Sequence, residues 1–410
     1  MKKILYSLIF VFVLSAANSC SKDDLPIIKE NIEKYDPVSI AKGNSMQLYV
    51  HYMPWFENKA SNEGEWGMHW TMSNMDPDII DESGKRQIAS HYYPLIGPYA
   101  SSDKDVIRYH LLLMKYSGID GILIDWYGTQ QKNDYASNNR NTEEIVKLLA
   151  EVGLKFAIVY EDQTLKEIAD EEAKVYQAKE DFKYMETQFF SQKEYIQIDN
   201  KPLLLVFGPQ DINEPAKWSD IIATTKVKPH FLTLYGHSGT TNNADHKNAS
   251  GEYIWVDATD MDKKYEAKDK YDLFIGGAYP GFKDFYPEGG WGDHVLAPID
   301  HANGQLFTNL LQKAQDNKVD YLQLITWNDF GEGTMIEPTM EFGYTFLTQL
   351  QTFSKVSYKQ DMLETILELY ELKQTVKHRE LVSKLEQAFY CLYAEKVEEA
   401  KTLINEVKKY

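Results

Sequence analysis

Apolar, β-branched segments recur along the chain, and each ends in aromatic or polar residues. There are eight of them, at 47–52, 120–128, 155–162, 202–208, 230–237, 252–257, 272–279 and 320–329. They lack a clean alternation of polar and apolar positions, which indicates strands that are buried on both faces. Stretches with the apolar spacing of a helix lie between several of them, such as 105–118 and 141–153. Both of these stretches end at a glycine suited to a helix C-cap.

Eight units of strand and helix predict an α/β fold, a closed (β/α)8 TIM barrel, which we place at residues 46–352. An open, doubly wound sheet is the alternative. No G-x-G-x-x-G or Walker-type loop follows any of the eight segments, so the nucleotide chemistry that is usual for such a sheet is missing. We therefore favour the barrel.

Residues 353–410 have a different composition, with few glycines and many Glu and Lys. Their apolar positions recur at helical spacing, as at Leu381, Leu385, Phe389 and Leu392. This pattern predicts a small C-terminal extension of two or three amphipathic helices, packed on each other or on the barrel. A helical-repeat binding module is the alternative interpretation of the same pattern.

The N-terminal residues have the features of an export signal. A basic start, M-K-K, precedes an apolar run that is too short to span a membrane, so residues 1–19 are predicted to be a signal peptide. Cys20 and the following S-K-D-D resemble the acylated cysteine and acidic export tag of surface lipoproteins from some Gram-negative bacteria. We expect a lipid on Cys20, a tether over residues 20–45, and a location at the bacterial outer membrane or cell surface. The second cysteine, Cys391, lies in the helical extension, so no disulfide framework is expected.

Composition narrows the class of ligand. The formal net charge of −19 argues against nucleic acid or an anionic membrane surface as a partner. The chain contains 28 tyrosines and 8 tryptophans, more than a core needs, and their flat, polar-edged rings are surfaces on which sugars stack. We expect an oligosaccharide or polysaccharide ligand and a protein that acts as a monomer.

In a (β/α)8 barrel the active site lies at the carboxyl ends of the strands. The residues at those positions are aromatic, acidic, amide or histidine side chains: His51, Tyr52, Asp125, Trp126, Tyr127, Glu161, His237, Trp255, Tyr279 and Asn328. We expect Trp126 and Tyr127 to form a wall on which a sugar stacks, with core packing as the alternative. Asp125 and Glu161 are expected to hold sugar hydroxyls, or else to pair structurally.

The glycine-rich segment W-N-D-F-G-E-G-T-M-I-E-P at 327–338 follows the eighth strand and carries three carboxylates. Asp329 and Glu332 are three residues apart, and such a pair suits the acid and base roles of glycoside hydrolysis. A metal site is the alternative use of the pair, but no H-E-x-x-H or D-x-D-x-D-G motif is present, so neither metal nor cofactor is expected. An Asx-turn cap is the structural alternative for Asp329. Glu337 is expected to form structural or ligand hydrogen bonds.

Four segments together resemble glycoside hydrolase family 99, the endo-acting α-mannosidases and α-mannanases. They are H-Y-M-P-W-F at 51–56, W-G-M-H-W-T-M at 66–72, D-W-Y-G at 125–128 and W-N-D-F-G-E-G-T-M-I-E-P-T at 327–339. The resemblance covers about residues 46–350 and implies that Tyr52, Trp55, His69 and Trp70 line the cleft. Family 99 carries two glutamates in a pattern like E-W-H-E-G. Here Asp329 takes the first position, as in family 71, the endo-α-1,3-glucanases, whose motif resembles W-N-D-x-G-E.

The resemblance implies that Glu332 is the general acid and Asp329 the base, acting either on the sugar 2-hydroxyl or on water. We therefore expect an endo-acting hydrolase of α-linked, α-mannan-like polysaccharide at the cell surface. A glycan-binding surface lipoprotein without catalytic activity is the alternative, because a fold alone does not determine activity. The sequence leaves open the polysaccharide, its linkage and the anomeric outcome.

Overall fold

The structure is a computed structural model, and it describes residues 32–257, 259 and 261–410. The predicted signal peptide and Cys20 therefore lie outside the described residues. Nine strands are described: β1 (Gln47–Tyr52), β2 (Gly121–Trp126), β3 (Lys155–Tyr160), β4 (Gln197–Ile198), β5 (Lys201–Val206), β6 (His230–Leu234), β7 (Gly251–Tyr253), β8 (Leu273–Ala278) and β9 (Tyr321–Leu324). Every one of the eight predicted segments overlaps one of the parallel strands.

Eight parallel strands close into a barrel in the order β3-β2-β1-β9-β8-β7-β6-β5, and β3 pairs with β5 to complete the ring. The two-residue β4 is antiparallel and is attached to β5 outside the ring. All six residues of β2 are buried, as expected for a strand with the barrel interior on one face and helices on the other. The predicted (β/α)8 barrel is therefore confirmed.

The described helices surround the barrel and continue beyond it. They are α1 (Met68–Thr71), α2 (Lys104–Tyr116), α3 (Tyr135–Val152), α4 (Glu171–Met185), α5 (Pro215–Ile222), α6 (Ser238–Thr241), α7 (Met261–Glu266), α8 (Tyr286–Gly289), α9 (Gln305–Asp316), α10 (Thr345–Ser354), α11 (Gln360–Thr375), α12 (Arg379–Tyr393) and α13 (Val397–Val407). Helix α3 ends at Gly153 in the left-handed conformation, with φ of 81°, as the sequence predicts. The carboxylate of Asp103 caps α2 by accepting from the amide of Asp105 at 2.8 Å.

The C-terminal helices pack on each other and on the barrel. Arg108 on α2 is 1% exposed and donates two hydrogen bonds to the carboxylate of Glu386 on α12, at 2.7 and 2.8 Å. Lys115, also on α2, donates to the carbonyls of Val152 and Tyr393 and so joins α2, α3 and α12. The extension is therefore attached to the barrel by buried charge-assisted hydrogen bonds, which are stronger than those between neutral groups.

The described part of the predicted tether, residues 32–45, lies against this extension. The amide of Val38 donates to the carbonyl of Tyr393 at 3.0 Å, and the amide of Gly43 donates to that of Ser354 at 3.1 Å. Lys396 lies over the ring of Tyr35. Backbone amides and the ring of Tyr35 provide these contacts, so residues 32–45 form part of the packed structure, in contrast to the expected tether.

We expect Arg108→Met to lower the free energy of unfolding by about 3 kcal/mol, because it leaves the carboxylate of Glu386 partly buried without its main partner. Urea denaturation followed by circular dichroism measures this. Lys147→Met is the control: Lys147 pairs with Glu144 on the surface of α3, and exposed pairs contribute less than about 1 kcal/mol. Equal losses in the two variants would contradict the prediction.

The stabilisation that Arg108 provides through Glu386 depends on pH. Burial raises the pKa of Glu386, but the hydrogen bonds and charge of Arg108 outweigh burial and lower that pKa from 4.5 to about 2. The resulting stabilisation is present above the unfolded-state pKa and is lost as the pH falls through about 2. The stability difference between the native protein and Arg108→Met should therefore shrink in strong acid.

Candidate active site

A cavity of about 170 Å³ opens at the carboxyl ends of the barrel strands. Its lining residues come from the ends of β1, β2, β3, β5, β7 and β9 and from the loops between them. They are His51, Met53, Trp55, His69, Met72, Asp125, Tyr127, Glu161, Gln163, Phe207, Trp255, Tyr286, Trp291, Asp329, Gly331 and Glu332. Both members of the predicted acid pair therefore lie in one cavity.

The acid pair lies in a tight turn after β9 rather than in a helix. Oδ1 of Asp329 accepts from the amide of Glu332 at 2.9 Å, and the amide of Asp329 donates to Oγ1 of Thr326 at 2.8 Å. Asp329 thus caps its own turn and also lines the cavity. The Asx-turn cap and a place in the acid pair are therefore compatible for this residue. The cap fixes where its carboxylate points.

Glu332 is held from the loop that follows β8. The hydroxyl of Tyr286 donates to Oε1 of Glu332 at 3.0 Å, and the amide of Lys283 donates to the Glu332 carbonyl at 2.8 Å. Gly333 follows with φ of 67°, and a Cβ there would lie 2.8 Å from the Lys283 carbonyl oxygen. Only glycine fits this close approach of two loops. This glycine therefore allows the loop to pack against residue 283.

Burial separates the acidities of the pair. It raises the pKa of Asp329 from 3.8 to about 6, although the hydrogen bond from the Glu332 amide and the nearby His69 and His51 oppose the rise. Burial and the charge of Asp329 raise the pKa of Glu332 well above its usual value, and the Tyr286 hydrogen bond only partly offsets this. Two carboxyl groups with different acidities are what acid and base roles require.

A second carboxyl pair, Asp125 and Glu161, lies in the same cavity. Burial, followed by the charge of a neighbouring carboxylate, raises the pKa of each well above its usual value. Within the described part of the chain, the one side-chain hydrogen bond of Asp125 is shared with the Glu161 carboxyl, and no amide, hydroxyl or amine group donates to its oxygens. Nε2 of His51 lies 3.7 Å away, and burial lowers the His51 pKa to about 3, so this ring is neutral. These oxygens can therefore accept hydroxyl groups from a ligand.

Aromatic rings form two walls of the cavity. On one side Trp55 stacks on His69, with centroids 4.1 Å apart and planes 4° apart, and the edge of Trp291 meets His69 at 5.6 Å. On the other side Trp255 packs against His51 and Phe207, each at 4.8 Å. The rings leave flat apolar faces next to the carboxyl groups, an arrangement that suits a ligand with an apolar face and hydroxyl edges.

The wall that contains Trp291 is tied to the protein by a buried carboxylate. Asp284 accepts hydrogen bonds from the ring of His294 and from the amide of Val295, the latter at 2.8 Å. These bonds hold the loop after α8 in place. Trp291, 39% exposed, then stacks on Tyr286, with centroids 6.2 Å and planes 24° apart.

Eight of the predicted site residues are brought together in the cavity: Trp55, His69, Asp125, Tyr127, Glu161, Trp255, Asp329 and Glu332. Seven others are placed outside its lining: Tyr52, Trp70, Trp126, His237, Tyr279, Asn328 and Glu337. Strand geometry accounts for two of these seven. Successive side chains in a strand point to opposite faces, so Tyr52 and Trp126 point away from the barrel axis because their neighbours His51 and Asp125 point towards it.

The ring of Trp126 is fully buried between the barrel and its helices. Its Nε1 donates to Asn139 on α3 at 2.8 Å, and the ring stacks on Tyr184 of α4 with centroids 5.8 Å apart. The predicted sugar-stacking wall at Trp126 is therefore wrong, and the alternative of core packing is correct. Tyr127, the next residue, does line the cavity.

The other displaced residues support the site from behind or beside it. Trp70 is buried, and its Nε1 donates to the carbonyl of Tyr99 at 2.8 Å. The hydroxyl of Tyr279 donates to the carbonyl of Asp257, and His237 precedes the short helix α6. Asn328 and Glu337 form hydrogen bonds beneath the acid turn, to Met53 and Tyr99 respectively.

Sequence reasoning missed several lining residues on loops, above all Tyr286 and Trp291. Both lie in the aromatic- and glycine-rich segment F-Y-P-E-G-G-W at 285–291, which was the available signal. A rule that reads only the last residues of each strand stops before this segment. Among the described residues, no group of three or more His, Cys, Asp or Glu side chains is arranged to hold a metal ion.

Comparison with known proteins identifies a family and structures with the same fold. The family described as Glycosyl hydrolase family 99 matches residues 44–369. A mouse protein, glycoprotein endo-alpha-1,2-mannosidase-like protein, is 21% identical over 324 residues, covering 71% of this chain and 69% of its own. The human protein of the same name is also 21% identical over 324 residues, covering 71% of this chain and 68% of its own. A family 99 endo-alpha-mannosidase structure from Bacteroides thetaiotaomicron shares the fold, with a TM-score of 0.58 and 19% identity over 77% of this chain and 99% of that one.

We expect Trp126→Ala to lower the free energy of unfolding by about 3–5 kcal/mol, because it leaves a cavity in the core. Trp291→Ala is the control and should cost less than about 1 kcal/mol, since that ring is partly exposed. Chemical denaturation followed by circular dichroism measures both. If Trp126→Ala is as stable as Trp291→Ala, the assignment of Trp126 to the core is wrong and the cavity wall is favoured.

Proposed function

The chain belongs to glycosyl hydrolase family 99, and we propose that it is an endo-acting hydrolase of α-linked, mannan-like polysaccharide. The observation that carries the proposal is the Asp329/Glu332 pair, which lies in one buried cavity with pKa values raised to different extents. The similar mouse and human proteins are named for endo-alpha-1,2-mannosidase, which supports a mannose-containing glycan as substrate. The cavity supports the same class, because flat aromatic faces adjoin oxygen acceptors.

Glu332 is the general acid in this proposal. Its raised pKa favours the protonated form, which can donate its proton to the glycosidic oxygen as the bond between that oxygen and the anomeric carbon breaks. Tyr286 donates a hydrogen bond to Oε1 of Glu332 and holds the acid against the aromatic wall. The same hydrogen bond stabilises the carboxylate that remains after the proton has left.

Asp329 is the base. Above a pH of about 6 it is ionised, and it then removes a proton either from the sugar 2-hydroxyl or from a water molecule. In the first case the 2-oxygen attacks the anomeric carbon and water opens the resulting anhydro sugar. In the second case water attacks directly, with inversion. The configuration of the first product, read by NMR during hydrolysis, distinguishes the two routes, because the first retains and the second inverts it.

The remaining lining groups position the sugar. Asp125 and Glu161 offer acceptor oxygens, and Gln163 holds Glu161 with a hydrogen bond of 2.9 Å. Trp55, stacked on His69, and Trp255 provide the two apolar faces. A protein that only bound glycan would need these faces but would have no use for a buried acid and base, which cost stability. We therefore favour the enzyme over the binding protein.

We also propose that the protein is exported and anchored to the outer membrane or cell surface by a lipid on Cys20. The signal-like residues 1–19 and the S-C-S-K-D-D sequence support this. In the described part of the chain no helix is long and apolar enough to span a membrane. We expect the native protein to partition with membranes and Cys20→Ala to be lost from them on fractionation. Membrane retention of Cys20→Ala equal to that of the native protein would refute the anchor.

The acid–base assignment predicts how two variants differ. We expect Glu332→Gln to reduce turnover of polysaccharide by about 10²–10⁴-fold and to lose less on an aryl glycoside, whose leaving group needs little protonation. Asp329→Asn should be impaired on both substrates, because the base is needed whatever group leaves. Glu341→Gln, which removes a surface carboxylate paired with Lys85, is the matched control and should retain activity.

The pH dependence follows from the same groups. The native rate should rise as Asp329 ionises near pH 6 and fall at higher pH as Glu332 loses its proton, so the pH–rate profile should be bell-shaped. Glu332→Gln should lose only the alkaline limb.

Screening against α-mannan and α-1,3-glucan identifies the substrate. If the protein binds a glycan that it never cleaves, or if both variants keep native turnover, the proposed pair is not catalytic.

A further inference from the structure

The catalytic turn belongs to a longer loop, residues 326–337, which we name the acid loop. Its two ends are joined to each other: the amide of Ile336 donates to the carbonyl of Thr326, and the amide of Glu337 donates to that of Trp327, both at 2.9 Å. The acid loop is therefore closed at its base, with Asp329 and Glu332 at its tip. How firmly the base is attached to the barrel decides where the tip lies.

One attachment is the side chain of Asn328. Its Oδ1 accepts from the amide of Met53 at 2.8 Å, and its Nδ2 donates to the carbonyl of Met53 at 3.0 Å. The amide of Trp327 also donates to the carbonyl of His51 at 2.6 Å. Asn328 thus ties the residue before Asp329 to the chain that leaves β1.

The second attachment is the side chain of Glu337 at the other end of the acid loop. It is 1% exposed, and Nε2 of His110 on α2 lies 3.2 Å from its Oε1. Nδ1 of the same histidine lies 3.0 Å from the hydroxyl of Tyr52. This contact is not a hydrogen bond, so Glu337 packs against α2 at this oxygen, through a carboxylate that does not line the cavity.

The hydroxyl of Tyr99 joins the two attachments. It accepts a hydrogen bond from Nδ2 of Asn328 at 3.1 Å and donates one to Oε2 of Glu337 at 2.7 Å. Tyr99 is 3% exposed, and its ring is packed between Phe56, Trp70 and His110, so the hydroxyl has little freedom to move. One phenol oxygen thus connects both ends of the loop that carries the acid pair.

We propose that Tyr99 is a positioning residue, whose hydroxyl couples Asn328 to Glu337 and so holds Asp329 and Glu332 in their reactive arrangement. Its kinetic consequence rests on the proposed hydrolase function. The effect on rate follows because a misplacement of about 1 Å of a reacting group can cost about 100-fold. Sites also keep their geometry only when the groups behind them are locked by packing and hydrogen bonds.

Tyr99→Phe tests this, because it removes only the hydroxyl and keeps the packed ring. Tyr195→Phe is a matched control. Tyr195 is 1% exposed, donates to the carbonyl of Leu203 at 2.7 Å and accepts from the amide of Ile158 at 3.2 Å, away from the acid loop. Each variant therefore loses one donated and one accepted hydrogen bond from a buried phenol.

We expect Tyr99→Phe to lower kcat by about 10–100-fold with KM changed by less than about threefold, because chemistry and not ground-state binding depends on the loop geometry. The acidic limb of its pH profile should move to lower pH, since a looser loop admits water to Asp329. Tyr195→Phe should keep native kcat and pH profile at a similar loss of melting temperature. Equal kcat in the two variants, or an unshifted limb in Tyr99→Phe, would overturn the proposal.

Hydrogen–deuterium exchange gives a readout that does not need activity. The amides of Asp329, Glu332 and Thr334 are all hydrogen-bonded within the acid loop. Peptides that cover them should exchange faster in Tyr99→Phe than in Tyr195→Phe and the native protein. If the protein cleaves no glycan but this contrast appears, the proposed function fails and the role of Tyr99 stands. If exchange is the same in all three proteins, the role of Tyr99 is refuted.

Discussion

Four carboxyl groups share one cavity, and neither Lys nor Arg is among the residues that line it. Their burial and mutual repulsion disfavour ionisation, and this constraint governs the rest of the site. The groups that donate hydrogen bonds to these carboxyl groups are neutral and not cationic: Tyr286 donates to Glu332, and Gln163 donates to Glu161. A cation would stabilise the carboxylates and lower their pKa values. Neutral donors hold the groups in place and leave the pKa of Glu332 raised, which favours its protonated form.

Carboxyl groups held together against their own repulsion need a rigid frame, and the frame extends far from the cavity. Helix α2 is central to it. Arg108 on one side of α2 binds Glu386 of the C-terminal extension, and His110 on the other side faces Glu337 of the acid loop. The extension therefore supports the helix against which the acid loop packs. Its packing contributes to the site although none of its residues lines the cavity.

Much of the fold and half of the candidate site could be predicted from local pattern. Each of the eight apolar segments overlaps a barrel strand, because burial on both faces of a strand requires an apolar composition that is visible without knowing the neighbouring strands. Trp126 marks where this reading fails. The sequence puts Asp125 and Trp126 side by side at the end of a strand, and a shift of one residue in the pleat decides which of them faces the cavity.

The sequence by itself determined the chemistry: which residues are acids, that Asp329 and Glu332 lie three apart in a glycine-rich turn, and that the chain resembles a glycosidase family. Only the tertiary structure decided which residues contact these acids. Tyr286 reaches Glu332, and Trp291 stacks on Tyr286, because the loop after β8 pairs with the acid loop. Tyr286 and Glu332 are 46 positions apart in the chain. Their contact depends on closure of the barrel, a long-range condition that no local pattern of polar and apolar residues records.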